Sequence, residues 1–190
     1  MNTEKDTQGE FESGVRASRS EDIPAITAIY AHHVLHGLAS FELSPPDVHE
    51  IARRRVEVLA RGLPYLVAEA GGQLAGYAYA APYRGRPAYR FSLEDSVYIH
   101  PDYVGRGIGR ALLDVLIETC TSAGYRQLIA VIGDSGNAGS IGLHAACGFV
   151  RTALLPSVGF KFGRWVDSVL MQKELGEGDR TLPDTSPKMT

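Results

Sequence analysis

The stretch Glu94-Asp95-Ser96-Val97-Tyr98-Ile99-His100-Pro101-Asp102-Tyr103-Val104-Gly105-Arg106-Gly107-Ile108-Gly109-Arg110-Ala111-Leu112-Leu113 decides how this chain is read. It runs from a β segment through a short turn into a glycine-rich loop and the start of a helix. A glycine loop at a helix N-terminus offers free backbone N–H groups and the positive end of the helix dipole, a site suited to phosphate. Gly105, Gly107 and Gly109 remove the side chains that would block a close approach. A Walker loop would end in Gly-Lys-Ser/Thr, whereas Gly109 is followed by Arg110-Ala111. A dinucleotide fingerprint counted from Gly105 needs glycine at the sixth position, which is Arg110. It also needs a carboxylate about 20 residues on, in the next strand, and Arg126 to Ile132 contains none. Both common nucleotide motifs are excluded.

The remaining sequence frames that loop. A length of 190 residues fits one domain with a substantial core. A net charge of −3 argues against a nucleic-acid binder. Arg53-Arg54-Arg55, the one basic run, falls among Ile51, Val56, Val58 and Leu59 and reads as the solvated face of a helix. Cys120 and Cys147 lie in separate helical patterns with apolar neighbours, as buried free thiols do, and no clustered metal ligands are expected. No apolar run is long enough to span a membrane, and Met1 to Gly14 has no apolar segment of the kind a secretion signal needs, so cytoplasm is the expected compartment.

Residues 1–14 and 176–190 are polar, lack periodicity and read as disordered tails around a single domain at 15–175. Within it, Val15 to Ser18 reads as a short strand, and Asp22 with Pro24 as a helix start. Ser44-Pro45-Pro46-Asp47 opens a second helix with Ser44 as N-cap, running to about Arg61. Tyr65 to Ala70 and Gln73 to Ala81 form a hairpin across Gly71-Gly72. Leu93 to Ile99 is the strand before the loop, and Ile108, Leu112, Val115, Leu116 and Cys120 mark the helix after it. A strand at Gln127 to Ile132, a helix at Ala138 to Ala146, and strands at Phe149 to Leu155 and Val166 to Lys173 follow. This order gives an α/β chain with a mixed sheet.

The loop resembles the acyl-CoA pyrophosphate loop of the GNAT acetyltransferase superfamily, Gln/Arg-x-x-Gly-x-Gly/Ala. Gly107 and Gly109 stand at its last two fixed positions, and Val104 stands where Gln or Arg is usual. A second match is Asn137-Ala138-Gly139-Ser140-Ile141-Gly142-Leu143-His144-Ala145-Ala146-Cys147-Gly148-Phe149, similar to the superfamily's Asn-x-x-Ser/Ala-x-x-x-Tyr-x-x-x-Gly-Phe with His144 in place of the tyrosine. The resemblance implies a GNAT acyltransferase fold, with a mixed, mostly antiparallel sheet flanked by helices. It also implies acetyl-CoA as co-substrate, bound by Ser96, Val97, Tyr98, Ile99, the loop Val104, Gly105, Arg106, Gly107, Ile108 and Gly109, and by Asn137 and Ser140 along the pantetheine arm.

Four further segments resemble phosphinothricin and methionine sulfone/sulfoximine N-acetyltransferases. They are Ser40-Phe41-Glu42, Gly76 to Tyr89, Glu94-Asp95-Ser96-Val97-Tyr98-Ile99, and Val158 to Asp167. That resemblance implies Glu94 as base and His144 as a second active-site residue. It implies Arg84, Arg86 and Tyr89 around the anionic end of a small amino-acid-like substrate, Phe41 as a pocket wall, and a homodimer. It assigns no role to Lys161 or Trp165.

The chemistry of the reaction asks for the same groups. An α-amine is largely protonated near neutral pH, so a cleft carboxylate must take its proton. Strand alternation sets Glu94, Ser96 and Tyr98 on one face. The departing thiolate needs a donor, for which His144 is suited. The tetrahedral intermediate needs another, such as a strand N–H near Val97 or Tyr98. Neither cysteine has an activating partner in sequence, so direct transfer is expected over an acyl-enzyme. The competing readings are an N-acetyltransferase for peptide N-termini or polyamines, and a non-catalytic CoA-binding module.

Overall fold

The computed structural model describes residues 14–184. The elements are β1 (Gly14–Ala17), α1 (Ile23–His36), α2 (Val48–Ala60), β2 (Tyr65–Ala70), β3 (Gln73–Pro82), β4 (Ser92–Ile99), α3 (Ile108–Ser122), β5 (Gln127–Gly133), α4 (Ala138–Ala146), β6 (Val150–Lys161) and β7 (Arg164–Glu174). The strands form one sheet in the order β1-β2-β3-β4-β5-β7-β6. Every neighbouring pair is antiparallel except β4 and β5. This is the mixed, mostly antiparallel sheet expected.

The exception creates the site. The β4/β5 ladder pairs Ser92 to Asp95 with Gln127 to Ala130 and stops there. From Ser96 to Ile99, β4 is paired only with β3, while β5 continues against β7. Two parallel strands that part leave a wedge in the sheet, with backbone groups on the facing edges released from the ladder.

Helices cover both faces. Tyr98 meets Tyr30 of α1 edge-on, with ring centroids 5.0 Å apart. Its neighbour Ile99 points the opposite way, as strand alternation requires, towards the start of α3. Leu112, Leu113, Leu116 and Cys120 on α3, and Ile26, Ile29 and Val34 on α1, are essentially inaccessible. Burying each large side chain contributes about 1.5–3 kcal/mol. α3 also approaches the sheet closely: a Cβ on Gly76 would lie 3.3 Å from Leu112 and 2.9 Å from the Tyr98 carbonyl oxygen.

Several local readings shift. α2 starts at Val48, not near Ser44: Asp47 is its N-cap and accepts from the Glu50 N–H at 2.8 Å. The helical region is disfavoured for Pro45, which precedes Pro46. Asp22 stands at the N-cap of α1 but its side chain makes no capping bond; its carboxylate takes two bonds from Arg16 and one from the Arg19 N–H. The arginines of α2 are more than a solvated face. Arg54 pairs with Glu42 and Glu50, and Arg55 donates to Ser18. β6 runs past Pro156 to Lys161 through an irregularity between Leu155 and Gly159, held by Asp167 accepting from the Ser157 N–H at 2.9 Å.

At the N-terminal edge Gly14 already pairs with Glu69, and the preceding residues 1–13 lie outside the described residues. After Leu175, read as an unstructured tail, the chain makes turns closed by Gly178 N–H to Leu175 and Arg180 N–H to Glu177, while residues 185–190 lie outside the description.

One glycine fixes how the site loop meets β5. A Cβ on Gly133 would lie 2.1 Å from the Leu38 carbonyl oxygen and 3.0 Å from the Phe41 ring. Backbone cannot yield as a side chain does, so Gly133→Ala is expected to cost about 1–3 kcal/mol, read as a lowered urea midpoint.

Candidate active site

A cavity of about 420 Å³ opens where β4 and β5 part. Glu94, Asp95, Ser96, Val97 and Tyr98 form its β4 wall, and Ala130 to Gly133 its β5 wall. Asn137, Ser140 and His144 of α4 close one side, and Tyr30 and Ala39 to Glu42 the other. Of the expected site residues, Glu94, His144, Ser96, Val97, Tyr98, Asn137, Ser140 and Phe41 are brought together here.

Glu94 is partly buried, opposite Ala81 on β3. Burial pushes its carboxyl above the ordinary range, the neighbouring Asp95 charge adds to the rise, and Arg84 pulls the other way. A carboxylate raised in this way is a better proton acceptor than an exposed one.

His144 is held differently. It is 4% exposed. Its Nδ1 lies 2.7 Å from the Ser140 carbonyl oxygen, which can only accept, so Nδ1 carries hydrogen. Its Nε2 lies 2.9 Å from Asp95 Oδ2. Burial opposes charge on the ring, but the hydrogen bond and charge of Asp95 outweigh it, and the imidazole titrates above its ordinary value. The raised value favours a ring that donates from both nitrogens, Nε2 to the Asp95 carboxylate. Asp95 was not singled out in sequence, because it alternates away from Glu94 and its partner is 49 residues distant. Its second oxygen, Oδ1, is the one buried side-chain polar atom without a partner among the described residues.

α4 begins with Asn137 as N-cap, its Oδ1 accepting from the Ser140 N–H at 3.1 Å. The glycine loop lies beyond the end of β4. Gly105 and Gly107 both have φ +80°, and nothing lies within 4 Å of a Cβ built on either, so the loop is an open cradle that only glycine forms without strain. Gly107 is the N-cap of α3, whose first N–H groups have no helical carbonyl to meet. Gly109 packs against α4, where an added Cβ would be 3.1 Å from Leu143. Val104 is 65% exposed.

The proposed substrate arginines stand apart. Arg84, Arg86 and Tyr89 are exposed on the β3–β4 loop and do not line the cavity. Tyr89 meets Tyr83 edge-on, Arg84 stacks on Tyr83, and of the two arginines only Arg84 acts on Glu94. Sequence reasoning assigned nothing to Lys161. It is 3% exposed, and its Nζ donates to the Ser40 carbonyl at 2.7 Å. It ties the end of β6 to the loop carrying Phe41. Trp165 is exposed and packs on Phe160. Cys120 and Cys147 are buried free thiols, both with pKa raised by burial, so neither is a ready nucleophile. Among the described residues no cluster of His, Cys, Asp or Glu could hold a metal ion, and no helix is long and apolar enough to cross a membrane.

Comparison with known proteins meets this geometry at the same places. Residues 29–149, which hold the glycine loop and all of the cavity lining but Ser168, match the acetyltransferase (GNAT) family. The chain belongs to the GNAT acetyltransferase family. It is 64% identical over 170 residues to a phosphinothricin N-acetyltransferase of Alcaligenes faecalis, covering 90% of this chain and 86% of that protein. It is 41% identical to an L-methionine sulfoximine/L-methionine sulfone acetyltransferase of Salmonella typhimurium, covering 86% of this chain and 95% of that one. The crystal structure of a phosphinothricin acetyltransferase from Sinorhizobium meliloti in complex with acetyl-CoA superposes with a TM-score of 0.89 at 44% identity, over 92% of this chain and 95% of that chain. As a GNAT acetyltransferase, this chain keeps the parted strands, the glycine cradle and the Asn-capped α4 in one continuous arrangement.

Proposed function

We propose that this GNAT enzyme transfers the acetyl group of acetyl-CoA directly to the α-amine of a small amino acid of the phosphinothricin, methionine sulfoximine or methionine sulfone type. The observation that carries the reading is a raised Glu94 carboxyl on the wall of the cavity where β4 and β5 part.

Glu94 accepts the ammonium proton and leaves a neutral amine to attack the thioester carbonyl. Edges of β4 and β5 freed from the ladder supply N–H groups for the oxygen of the tetrahedral intermediate and for the pantetheine arm. The N-terminus of α3 and the loop Gly105 to Gly109 take the pyrophosphate. His144, kept positive by Asp95, puts a buried cation beside the departing thiolate. Arg84 and Arg86, exposed on the β3–β4 loop that follows Ala81 beside Glu94, take the acceptor's carboxylate, and Phe41 walls the amine site. Without a cysteine suited to attack, no acyl-enzyme intervenes.

The names of the relatives support the substrate class, and the arginines of the β3–β4 loop disfavour polyamines. A thiol-release assay across free amino acids, methionine sulfone, methionine sulfoximine, phosphinothricin, peptides and polyamines tests it. Turnover is expected with the oxygen-tipped amino acids, and Arg84→Ala with Arg86→Ala raises their KM about tenfold or more. Turnover confined to peptides or polyamines overturns the substrate assignment.

A homodimer belongs to the same reading. β6 is an edge strand, and Leu154, Leu155, Val158, Phe160 and Trp165 on the β6–β7 hairpin are all at least 42% exposed. A long apolar edge of this kind calls for a partner, and a second copy is the partner the family resemblance implies. Light scattering at micromolar concentration is expected to give about twice the mass of 20.5 kDa; a monomer contradicts the dimer. The buried free thiols fit a reducing, cytoplasmic setting.

A further inference from the structure

A second cavity, of about 400 Å³, lies under α2 and adjoins the first: Tyr30 and Tyr79 line both. Its near end is built by Ala81, Pro82 and Gly85. Ala81 is the register partner of Glu94, so this cavity begins beside the carboxylate that takes the amine proton.

Its floor is aromatic. Tyr65, Tyr77 and Tyr79 present three nearly parallel rings, Tyr65 lying 5.0 Å from Tyr79 at 12° and 5.9 Å from Tyr77 at 4°. Ile51 and Val58 of α2 form an apolar roof. Tyr65 and Tyr77 are 4% and 1% exposed, yet neither hydroxyl has a hydrogen-bond partner among the described residues. Neither hydroxyl is sealed away: both residues line the cavity, where tyrosine hydroxyls ordinarily find a partner. Two donors beside the apolar roof are suited to oxygen atoms on a ligand.

The charged lining agrees. Arg54 and Arg61 both line this cavity. Arg54 is committed to Glu42 and Glu50, whereas Arg61 makes no ion pair among the described residues. Glu57, also on the lining, is paired with Arg53. The cation left to meet a ligand is therefore Arg61, and its preference is for an anionic or strongly polar oxygen.

We infer that the cavity beneath α2 is the side-chain subsite of the acceptor, selecting an amino acid with a short apolar stem and an oxygen-bearing tip. The stem lies on the tyrosine rings, and the tip meets the Tyr65 and Tyr77 hydroxyls and Arg61. A cationic tip, as in lysine or ornithine, is repelled by Arg61. This rests on the acetyl-transfer reading of the neighbouring cavity, and it assigns the tip to residues distinct from Arg84 and Arg86, which remain with the α-carboxylate.

The test is acceptor kinetics of the full chain with alanine, which has no stem, against methionine sulfone and phosphinothricin. The variants are Tyr65→Phe, Tyr77→Phe and Arg61→Ala. The phenylalanine variants keep the ring floor, and Arg61 is exposed, so its variant keeps the fold. The expected result is a rise of about 3- to 10-fold in KM for the oxygen-tipped acceptors per group removed. KM for acetyl-CoA and kcat/KM for alanine stay within twofold of the unaltered protein. Equal losses for alanine and methionine sulfone, or no loss for either, overturn the subsite while leaving acetyl transfer standing. If the unaltered protein acetylates no free amino acid, the acetyl-transfer reading falls, and the subsite with it.

Discussion

Glu94→Gln is expected to lower kcat by about 10²-fold or more at saturating acceptor, because the amide cannot take the ammonium proton while the cavity keeps its shape. The same substitution is expected not to weaken the fold. Glu94 titrates above its ordinary range in the folded chain. Between the unfolded and folded values the native state therefore binds more protons than the unfolded state, so stability falls as pH rises through that window. At neutral pH the ionised carboxylate is a net burden on the native state. Gln removes it, so the variant has a urea midpoint equal to or above that of the unaltered protein. Loss of activity with unchanged or higher stability is the signature of a group kept for chemistry; an unchanged kcat removes Glu94 from the role.

Asp95→Ala has the largest expected effect on stability, a loss of about 3–5 kcal/mol, because it strands the buried His144 without its counter-charge. The side chains of the pair are only 5% and 2% exposed, so solvent screens little of this. The pair also has a defined pH signature. His144 titrates higher in the folded state than when unfolded. Its contribution is fully present below the unfolded value of about 6.5 and is lost as pH rises through the folded one. In His144→Gln that slope in a plot of stability against pH is expected to disappear. A variant that keeps the slope, or an Asp95→Ala protein as stable as the parent, contradicts a charged pair at this position.

These two carboxylates show what the sequence carries and what it does not. The place of Glu94 on the cavity wall was legible because it stands in a segment whose strand pattern, following turn and glycine loop are all local. The loop itself, the hairpin across Gly71-Gly72 and the helix from Ala138 to Ala146 are set by neighbours within a few residues, and each was found at or within a residue or two of its expected place. Asp95, one residue away from Glu94, was not legible: its role depends on a histidine brought in from α4, and no local pattern records that contact. Lys161 is the same case, with its partner Ser40 contributed from 121 residues away.

The helix start at Ser44 and the end of β6 at Leu155 were misplaced for a different reason. At both, a proline is the strongest local signal, and the structure is decided around it. Asp47 supplies the cap beyond Pro46, and Asp167 on β7 holds β6 together past Pro156. The second cavity was invisible from the sequence because its tyrosines read simply as strand-formers. Only the register of β2, β3 and β4 stacks them beneath α2.

The most direct measurement of the central claim follows the acetyl group itself. The protein is mixed with carbonyl-labelled ¹³C acetyl-CoA and methionine sulfone, and the label is followed by NMR while free thiol is counted and the protein mass recorded. The account predicts that the label appears on the α-nitrogen of the amino acid, with one thiol released per acetyl and no mass added to the protein. Label recovered only as free acetate, or carried on the protein chain, contradicts it.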